Sequence, residues 1–185
     1  MRLFVAVNLS APARAAIQSA IDEFPIVDPP WRWVGPENWH LTLKFLGETR
    51  PERLDALVKS LGSAAARHPA FDLVLGAFGG FPNLRSPRVL FFNVEGGSAP
   101  LEALARDIDA AVERATGLPL ETRRFHAHAT LARVKDRLPP DVASRLARIP
   151  ALTDAVTRVD RFELMESRLQ RTGAVYSVVK EFALP

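Results

Sequence analysis

Two short runs share one pattern. WHLTLKFLG begins at Trp39 and AHATLARV at Ala127, so His40-x-Thr42 and His128-x-Thr130 stand nearly half a chain apart in 185 residues. In an extended strand, residues i and i+2 point to one side. His40, Thr42 and Lys44 then share a polar face, while Leu41, Leu43 and Phe45 pack beneath helices. In the second run His126, His128 and Thr130 share a face and Leu131 lies opposite. Strand parity turns Arg133 away from His128 unless the strand bulges there. Imidazole has an unperturbed pKa near ~6.5, so one ring can be neutral and take a proton while another is charged and gives one. A threonine hydroxyl two residues on can donate to a non-bridging phosphoryl oxygen. If the two polar faces meet about a pseudo-twofold axis, they supply acid and base on opposite sides of a phosphorus, as in-line displacement requires.

The rest of the chain must hold those two strands. Arg2 to Asn8 reads as a strand, and Ser10 with Pro12 opens a helix whose apolar residues run to Phe24. Pro25 to Pro30 is a connector and Trp31 to Val34 a short strand. After His40 to Leu46, Thr49-x-x-Glu52 predicts a capping box for a second helix. Phe71 to Phe78 and Arg88 to Val94 read as strands. Ser98 to Thr116 reads as a helix closed by Gly117. The second motif strand falls within Glu121 to Lys135, and a short helix follows from Pro139 to about Arg148. Val156 to Glu166 and Ala174 to Phe182 read as two closing strands joined by a hairpin near Gln170 to Gly173. Each half is roughly β-α-β-α-β-β. The expected fold is α+β: two pseudosymmetric lobes, each a largely antiparallel sheet with helices outside, around a central cleft. No linker interrupts residues 1–185, so one domain of two packed lobes is expected.

Composition narrows the class. There is no cysteine, hence no disulfide or thiolate metal site. No apolar run reaches the length of a membrane span, and MRLFVAVNLS is too short for a secretion signal. A cytoplasmic, monomeric protein is expected, without membrane association. Net charge is only +3, but 20 of the 24 basic residues are arginine. Arginine suits bidentate phosphate recognition, although a GC-rich genome gives the same bias.

HLTLKFLG and HATLARV, together with RLFVAVNL, RWVGPENWHLTL and LMESRL, resemble the two-histidine phosphoesterases, specifically the RNA 2′,3′-cyclic phosphodiesterase or 2′-5′ RNA ligase family. The resemblance implies metal-independent hydrolysis of RNA 2′,3′-cyclic phosphate ends to 2′-phosphomonoesters, with 2′-5′ ligation as the reverse reaction. It assigns His40 as proton donor, His128 as acceptor, and Thr42 and Thr130 as phosphate ligands. RNA with cyclic ends or small cyclic nucleotides are the implied substrates, with no cofactor and no metal. Ala129 stands where a branched apolar residue is frequent, which bears on packing and not on chemistry. Arg133 and His126 are candidate substrate contacts. Arg123, Arg124 and Arg168 are weaker ones, and Trp31, Trp33, Trp39 and Phe81 are candidates for base stacking. Two other classes stay open at this stage. One is an RNA-end binding module without turnover. The other is a metallohydrolase using the His126-x-His128 pair with Glu121 or Asp136.

Overall fold

The computed structural model describes residues 1–24, 29–170 and 173–185. Most of the connector at 25–30 and the tip of the last hairpin fall outside them. The strands are β1 Arg2–Asn8, β2 Trp31–Trp33, β3 His40–Glu48, β4 Phe71–Phe81, β5 Val89–Gly96, β6 His128–Val134, β7 Val156–Val159, β8 Arg161–Gln170 and β9 Gly173–Ala183. The helices are α1 Ala11–Asp22, α2 Leu54–Ala65, α3 Ser98–Thr116 and α4 Pro140–Leu146. Ser10 caps α1, its Oγ accepting from Ala13 N–H at 3.2 Å. Gly117 ends α3 with φ +76°, a left-handed conformation that glycine adopts without strain.

All pairing is antiparallel, in the order β7-β4-β5-β6-β3-β1-β8-β9, with β2 alongside β6. The order has a twofold character about its centre, where β3 meets β6 through one pair, Leu41 with Ala129. The spatial groups are not the two halves of the sequence. β8 and β9, from the end of the chain, join β1 and β3, whereas β4 and β5, from the first half, join β6.

The stretch expected as one strand from Val156 to Glu166 is two. It breaks at Asp160, with β7 pairing to β4 and β8 to β1. These partners lie far apart in the strand order, yet a single residue spans no more than about 8 Å. The sheet must therefore curl until its flanks meet at Asp160. Leu184 N–H donates to Asp160 O at 2.8 Å, and Ser10, just after β1, donates through its Oγ to Val156 O at 2.7 Å.

The helices pack on one side of the sheet. Ile17 of α1, Leu57 and Leu61 of α2, Leu104 and Ile108 of α3 and Leu146 of α4 join Leu3, Val5, Leu41, Leu73, Leu90, Leu131 and Leu164 in one apolar cluster. Each fully buried leucine contributes about 1.5–3 kcal/mol through removal from water. Phe4, Ala6 and Met165 form a smaller cluster on the other side of the sheet. The expected capping box does not form. Thr49 Oγ1 instead donates back to Gly47 O, and a 3₁₀ turn over Pro51–Arg53 leads into α2. His68, just beyond α2, is bonded to Asp107 of α3 at 2.9 Å.

Both motif strands carry a β-bulge at the same place. Opposite β3, Val5 pairs with Lys44 but Ala6 with Thr42; opposite β6, Leu90 pairs with Ala132 but Phe91 with Thr130. Leu43 and Leu131 are the extra residues, and beyond them strand parity inverts. Lys44 is therefore not on the face of His40, as simple alternation predicts. It is 9% exposed, on the helix side, with its ammonium 2.5 Å from Asp109 of α3 and donating to Pro119 O. The Asp109 contact is ionic, since Oδ1 lacks hydrogen-bond geometry. Phe45, expected under the helices, is 67% exposed and lies against Phe4. Lys44→Met should leave the Asp109 carboxylate uncompensated and lower stability by about 3 kcal/mol. Urea unfolding would check this, with most of the loss recovered in Lys44→Met/Asp109→Leu.

Candidate active site

Leu41 and Ala129 are both fully buried on the helix side. Their neighbours in each strand therefore point to the opposite, open face. Antiparallel geometry around that pair sets His40 on the Thr130 side and Thr42 on the His128 side. Two histidines and two threonines thus surround one point where the two groups of strands join. Ala129 pairs directly with Leu41, and both belong to the apolar core.

The two imidazoles are held alike. His40 Nδ1 lies 2.7 Å from Asn38 O, and His128 Nδ1 lies 2.7 Å from His126 O. A carbonyl only accepts, so each Nδ1 carries a hydrogen and each neutral ring keeps its lone pair on Nε2. His40 Nε2 is 3.1 Å from Thr42 Oγ1. His128 Nε2 has no protein partner among the described residues. Asn8 pairs across from His40 on β1 and Asn93 across from His128 on β5, which extends the twofold resemblance.

Aromatic rings fix both histidines. His40 lies 5.1 Å from Phe4 and 5.4 Å, edge-on, from Tyr176. His128 lies 5.1 Å from Phe81 and 5.2 Å from Phe91. Gly79 makes room for the Phe91 ring, since a Cβ there would come within 2.7 Å of it. Burial is the main influence lowering the His40 pKa below its ordinary value. The Asn38 carbonyl opposes that shift, while His128 and Arg14 repel a proton on His40 and add to it. Burial also lowers the His128 pKa, against its bond to the His126 carbonyl, and His126 adds to the lowering.

The other sequence candidates divide. The bulge at Leu131 turns Arg133 to the open face, the exception that parity left open. His126 is exposed at the cleft edge, 5.0 Å from Phe81 and 5.9 Å from His128. Among the described residues no third histidine, cysteine or carboxylate gathers with that pair, and Glu121 is engaged by Arg123. Arg168 pairs with Glu166. Of the aromatic candidates, Trp31 and Trp39 are core residues and Phe81 lies in the cleft. Phe4, Phe91, Tyr176 and Arg14 also border the histidines, and sequence reasoning did not single them out. The alternation on β1 and β5 that places Phe4 and Phe91 is visible, but which face is open is not. A groove of about 1240 Å³ between Asn83–Arg85 and α4 contains none of the motif residues. Among the described residues no helix is long and apolar enough to cross a membrane.

Comparison with known proteins gives concordant results. The model of the 2′-5′ RNA ligase superfamily matches residues 10–171. A Thermus thermophilus RNA 2′,3′-cyclic phosphodiesterase is 36% identical over all of this chain and 90% of its own length. An Archaeoglobus fulgidus protein of the same name is 32% identical, over 98% of this chain and 99% of its own. E. coli LigT crystallised with 3′-AMP superposes with a TM-score of 0.81 at 31% identity, covering 99% of this chain and 97% of LigT.

NMR titration of the ring protons should find both His40 and His128 with pKa values below the ordinary 6.5. Arg14→Gln should raise the His40 value, because a repelling charge is removed, and leave that of His128 closer to its starting point.

Proposed function

The chain belongs to the 2′-5′ RNA ligase superfamily, and from that membership and the paired histidines we infer that it is an RNA 2′,3′-cyclic phosphodiesterase. The observation that carries the chemistry is the matched setting of His40 and His128. Each ring is oriented through Nδ1 by a backbone carbonyl, which leaves Nε2 of His128 open to the cleft and that of His40 3.1 Å from Thr42 Oγ1. The cyclic phosphate sits between them. Thr42 and Thr130 turn their hydroxyls to its non-bridging oxygens and stabilise charge that grows there in the transition state.

His128 Nε2, free of any protein partner among the described residues, takes a proton from water. The water oxygen bonds to phosphorus as the P–O3′ bond breaks, and protonated His40 delivers its Nε2 hydrogen to O3′. The product is a 2′-phosphomonoester with a free 3′-hydroxyl. With the same roles, a 5′-hydroxyl attacks in place of water, losing its proton to His128 as His40 protonates O3′, and gives a 2′-5′ linkage. Burial, His128 and Arg14 all disfavour a proton on His40 in the free protein. The phosphoryl anion offsets them, so substrate arms its own acid. A nucleotide ligand in the related LigT supports a nucleotide end as the occupant.

The test is turnover of a short RNA ending in 2′,3′-cyclic phosphate, with excess chelator. His40→Ala and His128→Ala should each lose about 10²–10⁴-fold in kcat. Unimpaired turnover in either variant would rule out the assignment, and a 3′-phosphate product would reverse the choice of leaving oxygen. The pH dependence has a definite sign. His128 must be neutral and His40 charged, and both pKa values are lowered. The maximum of kcat/KM should therefore lie below pH 6.5, the ordinary histidine value. The alkaline limb of kcat, read on the complex, should lie at higher pH than that of kcat/KM.

A further inference from the structure

Beside the motif residues, β2 runs along the far part of β6, pairing Trp31 with Val134, Arg32 with Arg133 and Trp33 with Ala132. Trp31 and Ala132 are buried in the core. The intervening residues, Arg32 and Arg133, therefore face the other way, onto the open face that carries His128 and Thr130. Both are exposed. Directly opposed residues in an antiparallel pair have Cβ atoms about 5 Å apart, and like charges there are destabilising. Among the described residues neither guanidinium has a carboxylate partner or a hydrogen bond. Asp136, which borders the same shallow recess as Arg32, forms no ion pair with it.

Two unpaired arginines held side by side concentrate positive charge and present their planar donors together, an arrangement suited to an anion. Its position identifies which anion. The β5 partners of Thr130 and Arg133 are Phe91 and Val89. They are one side-chain repeat apart, so Arg133 lies about 7 Å beyond Thr130 on the same face. That is comparable with the reach of one nucleotide. The first motif offers Phe45 at the corresponding place, so this feature exists on only one side of the cleft.

We propose that Arg32 and Arg133 form a second anion site, which holds the internucleotide phosphate preceding the cyclic end and makes the cleft selective for an RNA strand over a mononucleotide. This rests on the phosphodiesterase reading for its register and on the arginine pair for its charge. The strand enters across β2 and β6, places its last linkage on the guanidiniums and leaves its cyclic phosphate between the histidines.

The experiment compares kcat/KM for a trinucleotide ending in 2′,3′-cyclic phosphate with that for a nucleoside 2′,3′-cyclic monophosphate. Wild type, Arg32→Ala and Arg32→Lys are measured over a range of salt. In Arg32→Ala the ratio of trinucleotide to mononucleotide should fall at least tenfold, chiefly through KM, with partial recovery in Arg32→Lys. The slope of log affinity against log salt for the trinucleotide should flatten by about 0.7, one phosphate contact on a single strand. An unchanged ratio, whether both substrates suffer equally or neither does, overturns the proposal. Fluorescence anisotropy with a labelled 3′-phosphorylated trinucleotide separates the two levels. No wild-type turnover of either substrate, with binding still weakened by Arg32→Ala, would sink the phosphodiesterase reading and keep the anion site. Equal binding by wild type and variant would sink the anion site alone.

Discussion

The contact on which the cleft depends is a single cross-strand pair, Leu41 against Ala129. Among the described residues it is the one ladder pair that joins β3 to β6, and both side chains are fully buried. Because they point into the core, alternation forces His40, Thr42, His128 and Thr130 outward together. The two strands need no direct bond between their polar residues to bring these into register. An apolar contact on one side of the sheet thus sets the spacing of the histidines and threonines on the other. The cost of misplacement is high, since a shift by one residue would carry every motif side chain to the wrong face.

The paired bulges at Leu43 and Leu131 add a second level of control. Before each bulge the strand alternates simply, so histidine and threonine share the open face. After it, the next side chain turns to the core and the one beyond turns out. This lets one short run serve two purposes. Lys44 ties β3 to Asp109 of α3 beneath the sheet, while Phe45 and Arg133 stay above it. The same distortion gives the two halves of the cleft different outer residues around a matched centre. A matched pair of histidines is thereby flanked by an aromatic ring on one side and a guanidinium on the other.

The sequence made much of this legible because the deciding signals were local. The His-x-Thr strands, the Ser10 cap and the Gly117 terminator each depend on a few adjacent residues. The bulges were not legible, because Leu43 and Leu131 look like any other apolar strand residue and only their partners on β1 and β5 reveal the extra residue. The break at Asp160 was hidden for a related reason. Val156 to Glu166 has continuous strand character, and only the existence of two distant partners, β4 and β1, divides it. Phe4, Phe91 and Tyr176 escaped notice because aromatic residues in strands are common, and their approach to the histidines depends on the sheet's curl.

The one-residue passage at Asp160 also governs the order in which the protein can be made. As the chain leaves the ribosome, β1 and β3 emerge early, but the flank that covers β1 is β8, more than 150 positions later. The nascent chain must carry an uncovered strand edge through most of its synthesis. Phe4 meanwhile waits for Met165 and Tyr176 to surround it. The wall behind His40 is therefore among the last parts to assemble, and a nascent chain that has passed β6 but not reached β8 has both motifs without their full setting.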